Sequence, residues 1–257
     1  MSKTAVILTC SHVDPSVSNE RFDWLGSLIY DIRPDYVVDL GDGADLKSLN
    51  TFDTKTPAAL CAQSYERDID HYNEAQDRTR RKFKEMKKRK PVYFGCEGNH
   101  EYRIKRALSI DPRLEGDRYG ISFSHLQTDY WFDEYYEYQN NAPDSFDKDG
   151  VTYAHYISNG NYGTAMSGEH HAYNLLKKRH HSTTVGHSHK RGMFFKDDAH
   201  PNPAIGLVAG CFKGAEESWA GQANHEWWKG VIIKRNIEGG CYDPEFVSMS
   251  RLKAIYG

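Results

Sequence analysis

No apolar run in this chain of 257 residues reaches the length of about 18 that a membrane-spanning helix needs. No segment with a basic start and an apolar middle opens it, so no secretory leader is expected. Cysteine is sparse. Cys10, Cys61, Cys96, Cys211 and Cys241 are odd in number and show no CxxC spacing, which excludes a disulfide framework and a zinc knuckle. These absences predict a protein of the reducing cytoplasm with no membrane partner. Charge of one sign is lacking too: 33 Lys and Arg stand against 36 Asp and Glu, a formal net charge of -3. Any affinity for a polyanion must therefore come from a local patch. With no Pro, Gly or Ser-rich linker, no internal repeat and no low-complexity tract, residues 1–257 read as a single domain with room for a sizeable core.

What the chain does contain is a series of short apolar runs that end in polar residues. Residues 4–9 read as a buried strand through Ala5, Val6, Ile7 and Leu8, ending in Cys10-Ser11-His12. Phe22, Leu25, Leu28 and Ile29 recur at helical spacing before the stop signal Arg33-Pro34. Tyr36, Val37, Val38 and Leu40 form a second strand that runs into Gly41-Asp42-Gly43-Ala44-Asp45. Strand, helix and strand with both strands fully apolar predict a parallel βαβ unit, whose polar ends lie side by side.

A helical insertion is expected over about 58–90, with Ile69, Tyr72, Gln76, Thr79, Phe83 and Met86 along one face and a basic run from Arg78 to Lys90 opposite. That run is a solvated helix face or a nucleic-acid patch. Geometry favours the first, because a strand of five or six residues separates it from the next polar cluster by about 17–20 Å. After residues 103–108, read as helix, residues 111–150 form an irregular insertion. Its segment Asp129 to Tyr138, DYWFDEYYEY, mixes rings and acids as a covered core edge or subunit contact does, and less as a base-stacking surface does. Further strands are expected near 151–153, 182–185, 205–208 and 230–233, a helix near 172–176, and a Trp-rich loop through Trp219, Trp227 and Trp228.

The chemistry gathers at Gly98-Asn99-His100-Glu101, which follows the apolar run 91–95. Alone, this tetrapeptide serves equally well as a turn. It gains meaning because other strand ends carry the same residue types: Ser11-His12, Asp42 with Asp45, His155, and His187 with His189. Imidazoles, a carboxamide and a carboxylate able to bridge suit two divalent transition-metal ions. A pair of ions about 3.5–4 Å apart can hold a phosphate and acidify a shared water for in-line attack.

These blocks resemble the calcineurin-like metallophosphoesterases, whose pattern is DxH, GDxxD, GNHE, a lone His and GHxH. The last four match as Gly41-Asp42-Gly43-Ala44-Asp45, Gly98-Asn99-His100-Glu101, His155 and Gly186-His187-Ser188-His189, and the resemblance spans residues 4 to about 235. Glu101-Tyr102-Arg103 and Gly210-Cys211 are similar to a subgroup common in phages and bacteria. The resemblance implies an α/β fold of two mixed β-sheets packed as a sandwich flanked by α-helices. It also implies hydrolysis of phosphate mono- or diesters, small or nucleotide-like, by a hydroxide bridging two ions of manganese, zinc, iron or nickel. His12, Asp42 and His189 would hold one ion, and Asp42, Asn99, His155 and His187 the other. His100, oriented by Asp45, would protonate the leaving group or stabilise the transition state. His170 and His171 compete with His155 for its place, and Arg103 would clamp a phosphate or pair within its own helix.

The departure lies in the first block, where Cys10 stands in the place of the family's Asp. A thiolate can ligate zinc or iron from such a position, while Asp14 is a poor substitute; otherwise Cys10 is a buried thiol. A DNA or RNA nuclease of the same family, motivated by the basic helix, is the alternative enzyme. A scaffold that has kept the fold and lost strong catalysis, motivated by Cys10, is the alternative of another class.

Overall fold

Strand β1 (Lys3–Leu8) is buried on both faces, and its alternation divides the core. Val6 and Leu8 pack towards helices α1 (Glu20–Ile32) and α2 (Tyr65–Lys84), while Ala5 and Ile7 pack towards a second sheet. The computed structural model describes residues 2–50, 64–84, 90–160, 163–197 and 203–257.

Strands β2 (Tyr36–Asp39), β3 (Val92–Cys96) and β4 (Glu134–Tyr136) follow β1 in parallel. Between β3 and β4 lie α3 (Tyr102–Ile110) and the short α4 (Thr128–Trp131). The chain continues through β5 (Ser145–Lys148), β6 (Val151–Ala154), the small hairpin β7 (Ser158–Asn159) and β8 (Thr164–Ala165), then α5 (His171–Arg179). It ends with β9 (Thr183–Val185), β10 (Arg191–Lys196), β11 (Ala204–Ala209), β12 (Gly230–Glu238), β13 (Cys241–Ser248) and α6 (Met249–Tyr256). One sheet has the order β13-β12-β1-β2-β3-β4, and the other β10-β11-β9-β6-β5. Both are mixed. They pack face to face through Ile7, Val38, Phe94, Phe146, Tyr153 and Leu207, and α5 covers the outside of the second sheet through Ala172 and Leu175. The expected sandwich flanked by helices is therefore the fold.

Helix α1 buries Phe22, Leu25, Leu28 and Ile29, each contributing about 1.5–3 kcal/mol on leaving water. It ends where Arg33 turns left-handed, at φ 52°, and donates its N–H to the Ile29 carbonyl. The expected helix 58–90 is seen as α2; residues 58–63 and 85–89 of that range lie outside the described residues. The described cations of its basic run are engaged within the chain: Arg78 with Asp23 and Glu74, Lys84 with Asp77, and Arg80 over the ring of Tyr93.

Residues 111–150 are more regular than expected, since β4 and β5 extend both sheets at their edges. Trp131 and Phe132 are buried against the first sheet, so DYWFDEYYEY covers a core edge. The strands escaped notice because each is only three or four residues long.

A lysine lies in the middle of the sandwich. Lys234 on β12 is fully buried, donates to Thr184 Oγ1 at 2.6 Å, and sits over the rings of Tyr153 and Tyr242. Among the described residues no carboxylate pairs with it, and burial holds its pKa well below the ordinary lysine value. The unfolded chain then binds more protons than the folded one, so stability rises with pH from the folded pKa up to about 10.4. Lys234→Met is expected to stabilise the fold near neutral pH by about 1–3 kcal/mol and to remove that rise. Urea titrations of both proteins across the alkaline range test this; an unchanged pH slope in the variant contradicts it.

Candidate metal centre

Parallel pairing brings the polar strand ends together. Leu8 is in register with Asp39, and Asp39 with Gly95, so the loops after β1, β2 and β3 leave the same edge of the first sheet. Ala154 is in register with Val185, which places His155 beside the Gly186–His189 loop at the edge of the second. This is the carboxyl edge at which open α/β sheets carry their sites.

At that edge the backbone is bent sharply. Cys10, His12, Asp42, His187 and His189 have φ of 50°, 41°, 54°, 64° and 59°. Each costs on the order of 1–2 kcal/mol in a residue with a Cβ, a strain that folded proteins retain mostly at functional positions. Close backbone approach holds the loops in place. A Cβ on Gly98 would lie 2.2 Å from the Asp42 nitrogen, and one on Gly186 would lie 1.9 Å from Thr9 Oγ1.

The side chains converge on Asp42. Its Oδ2 is 3.7 Å from His12 Nε2 and 3.3 Å from His155 Nε2, so one oxygen faces two sets of donors. On the first side His12 Nε2 is 3.0 Å from His189 Nε2. On the second, His155 Nε2 is 3.1 Å from both Asn99 Oδ1 and His187 Nδ1. Donors bound to one ion at about 2.0–2.2 Å lie about 3–3.6 Å apart, a spacing these pairs meet with His12–Asp42 at the wide limit. The triplets whose ligand atoms all lie within 4.8 Å of one another are Cys10-His12-His189, Cys10-Asp42-His155 and His12-Asp42-His100, and His187 belongs to none of them. Cys10 Sγ lies within 4.8 Å of His12 and His189, and also of Asp42 and His155.

The electrostatics suit three of the imidazoles as ligands, whereas His155, although buried, is raised above the ordinary histidine value by Asp42. Burial first, then His100, lowers His12 to about 3. Burial likewise lowers His187 to about 4 and His189 to about 2. These imidazoles stay neutral with lone pairs free, the state in which histidine binds metal. Burial opposes ionisation of Asp42, but His155 and His100 hold its carboxyl well below the usual range. Burial and then Asp42 push the Cys10 thiol up, so its thiolate needs a cation nearby. Its sulfur already accepts the His187 backbone N–H at 3.2 Å.

His100 stands at the rim. Its Nδ1 lies 2.8 Å from both the carbonyl oxygen and Oδ1 of Asp45, and its Nε2 lies 3.2 Å from Arg103 Nη2. Arg103 also donates to the carbonyls of Asp45 and Leu46, and among the described residues no ion pair ties it to its own helix. Asp14 pairs with Lys47 at 2.5 Å and stands outside the donor groups, and His171 meets Ser188 rather than Asp42.

Sequence reasoning missed several supports. Glu101 is buried and accepts N–H bonds from Gly98, Asp42 and Ala44 at 2.9, 3.0 and 2.9 Å, tying two loops together. Its place in the GNHE block was the available signal. Lys47 and Lys213 line a cavity of about 70 Å³ beside His12, with Asp14 and Glu217 as their partners. No local pattern marks either lysine.

The chain matches no protein-family model and no curated protein. Solved structures do resemble it. One is a conserved uncharacterized protein of Streptococcus pneumoniae described as a predicted phosphoesterase, at 8% identity and TM-score 0.38, covering 97% of this chain and 91% of that one. Another, described provisionally as a diadenosine tetraphosphatase, is 10% identical at TM-score 0.34, covering 96% and 94%. Both likenesses are weak, and the roles given below rest on the side chains of this chain.

Proposed function

We propose that the chain is a single-domain metallophosphoesterase of the calcineurin-like kind, a phosphoric ester hydrolase that works with two divalent ions. The observation that carries this reading is the single carboxylate oxygen of Asp42, which faces His12 on one side and His155 on the other at 3.7 and 3.3 Å. His12, His189 and Cys10 would hold one ion, Asn99, His155 and His187 the other, with Asp42 between. When bound, two such ions supply positive charge to the phosphoryl oxygens and acidify water.

The chain's own residues do the rest. Asp45 fixes His100 through Nδ1, leaving Nε2 as the atom that can pass a proton to a departing oxygen. Arg103 occupies that nitrogen at 3.2 Å. A substrate phosphate competes for the guanidinium, and drawing Arg103 away leaves Nε2 open to take a proton from solvent, which it can then pass to the departing oxygen. Lys47 and Lys213 add positive charge on the His12 side. Arg103→Ala is accordingly expected to raise KM about tenfold or more, with Arg103→Lys recovering only part of the loss. An unchanged KM in Arg103→Ala would remove Arg103 from substrate binding.

Cys10 gives the first site a sulfur donor, which favours zinc or iron over manganese. Cys10→Asp is expected to raise manganese-supported turnover relative to zinc, and Cys10→Ser to weaken the first ion and lower activity. Three proteins with equal metal content and equal metal preference would show that Cys10 is no ligand. The reading as a whole is tested by metal analysis of protein purified without added metal, with turnover of bis(p-nitrophenyl) phosphate and p-nitrophenyl phosphate. Metal-dependent hydrolysis of either is expected; a metal-binding protein inert towards both contradicts it.

A further inference from the structure

Behind the Gly186–His189 loop, a groove runs between α5 and β10 that the hydrolytic site does not use. Two cavities of about 370 and 400 Å³ meet there and share Tyr173 and Phe194 as a common wall. These two rings stand edge to face with centroids 5.1 Å apart, and they are 45% and 40% exposed. Among the described residues, strand β10 is the edge strand of its sheet.

One end of the groove lies between the start of α5 and the residues that follow His189 in sequence. His171 lines that cavity together with Lys190 and Arg191, which follow the ligand loop directly. His171 is only 5% exposed; its Nδ1 is 3.4 Å from Ser188 Oγ, and its Nε2 has no hydrogen-bond partner among the described residues. The far cavity is lined by Lys177, His180 and Lys196. Acids are present as well: Glu169 and Asp197 line the groove, and Glu226 pairs with Lys190. Arg191 stacks over Trp228 and Phe246.

Exposed π faces between cations are the chemistry that holds nucleobases by stacking and their phosphates by charge. Two compartments on either side of one aromatic wall take successive bases, whereas a free mononucleotide fills only one. We propose that this groove binds a single strand of nucleic acid, at least two nucleotides long, and leads it to the metal centre. The binding stands on the groove alone; that the strand is cleaved rests on the phosphoesterase reading.

The test is fluorescence anisotropy of a labelled oligothymidylate of about six nucleotides at low salt with a chelator present, so that binding is read without turnover. The intact protein is expected to bind it. Tyr173→Ala with Phe194→Ala should weaken binding about 5- to 100-fold, as the loss of one or two stacked bases does. Lys177→Glu with Lys196→Glu should flatten the logarithmic salt dependence by about 0.7 for each lost phosphate contact. Circular dichroism and metal content of each variant report folding separately.

Several outcomes overturn the proposal: no binding by the intact protein, undiminished binding by the aromatic double variant, or equal affinity for thymidine monophosphate. So does a dimer of the intact protein that Phe194→Ala splits, because the groove is then an interface between copies. Turnover of bis(p-nitrophenyl) phosphate reports the metal centre independently. If it is absent while the oligonucleotide still binds through the groove, the hydrolase reading falls and the groove assignment stands.

Discussion

Asp42→Asn is expected to lower phosphoester turnover by at least about 10³-fold and to strip metal from the protein. The geometry says why so small a change is severe. Asp42 Oδ1 accepts the His100 backbone N–H at 2.9 Å, so an asparagine keeps its carbonyl there. That orientation turns the amide nitrogen to the position of Oδ2, the atom facing His12 and His155. Two N–H donors then point where lone pairs are needed, and one negative charge is lost. Because shape and the backbone contact survive, the fold should survive as well, which separates this effect from unfolding. Full activity and full metal content in the variant would sink the two-ion account.

His100→Asn is expected to act differently, slowing turnover by roughly 10² to 10⁴ while both ions stay bound. His100 sits outside the two donor sets, its side chain 15% exposed, with Asp45 holding Nδ1 and Arg103 meeting Nε2. His100 does lie within reach of His12 and Asp42 as a third donor, so metal content is the deciding readout. Loss of an ion in the variant would make His100 a ligand and remove its role as proton donor.

Much of this arrangement was legible because parallel β-strands write themselves into sequence as unbroken apolar runs. The runs at Ala5 to Leu8 and Tyr36 to Leu40 end at the residues that form the site, and the parallel pairing aligns those ends. What escaped notice has physical reasons. Strand β13 carries Pro244 and alternates weakly because it is an edge strand, although the Gly239-Gly240 turn before it, with φ of 57° and 90°, is a hairpin signal. Strand β10 exposes Phe194 and Phe195, so its pattern resembles neither a buried strand nor an amphipathic one. Lys47 and Lys213 reach the site from loops far apart in sequence, and Thr9 supports Gly186 across the two sheets; such contacts leave no local spacing to read. Glu101 was visible as a letter in a motif, but its work as acceptor for three backbone N–H groups emerges only once both loops are in place.

The proposed joining of two ions by one oxygen of Asp42 has a magnetic signature. It is tested most directly by loading the protein with manganese and recording its electron paramagnetic resonance spectrum alongside metal stoichiometry. Two ions per chain about 3.5–4 Å apart should give the spectrum of a spin-coupled pair, and Asp42→Asn should abolish the coupling. One manganese per chain, or two that show no coupling in the unaltered protein, would contradict it.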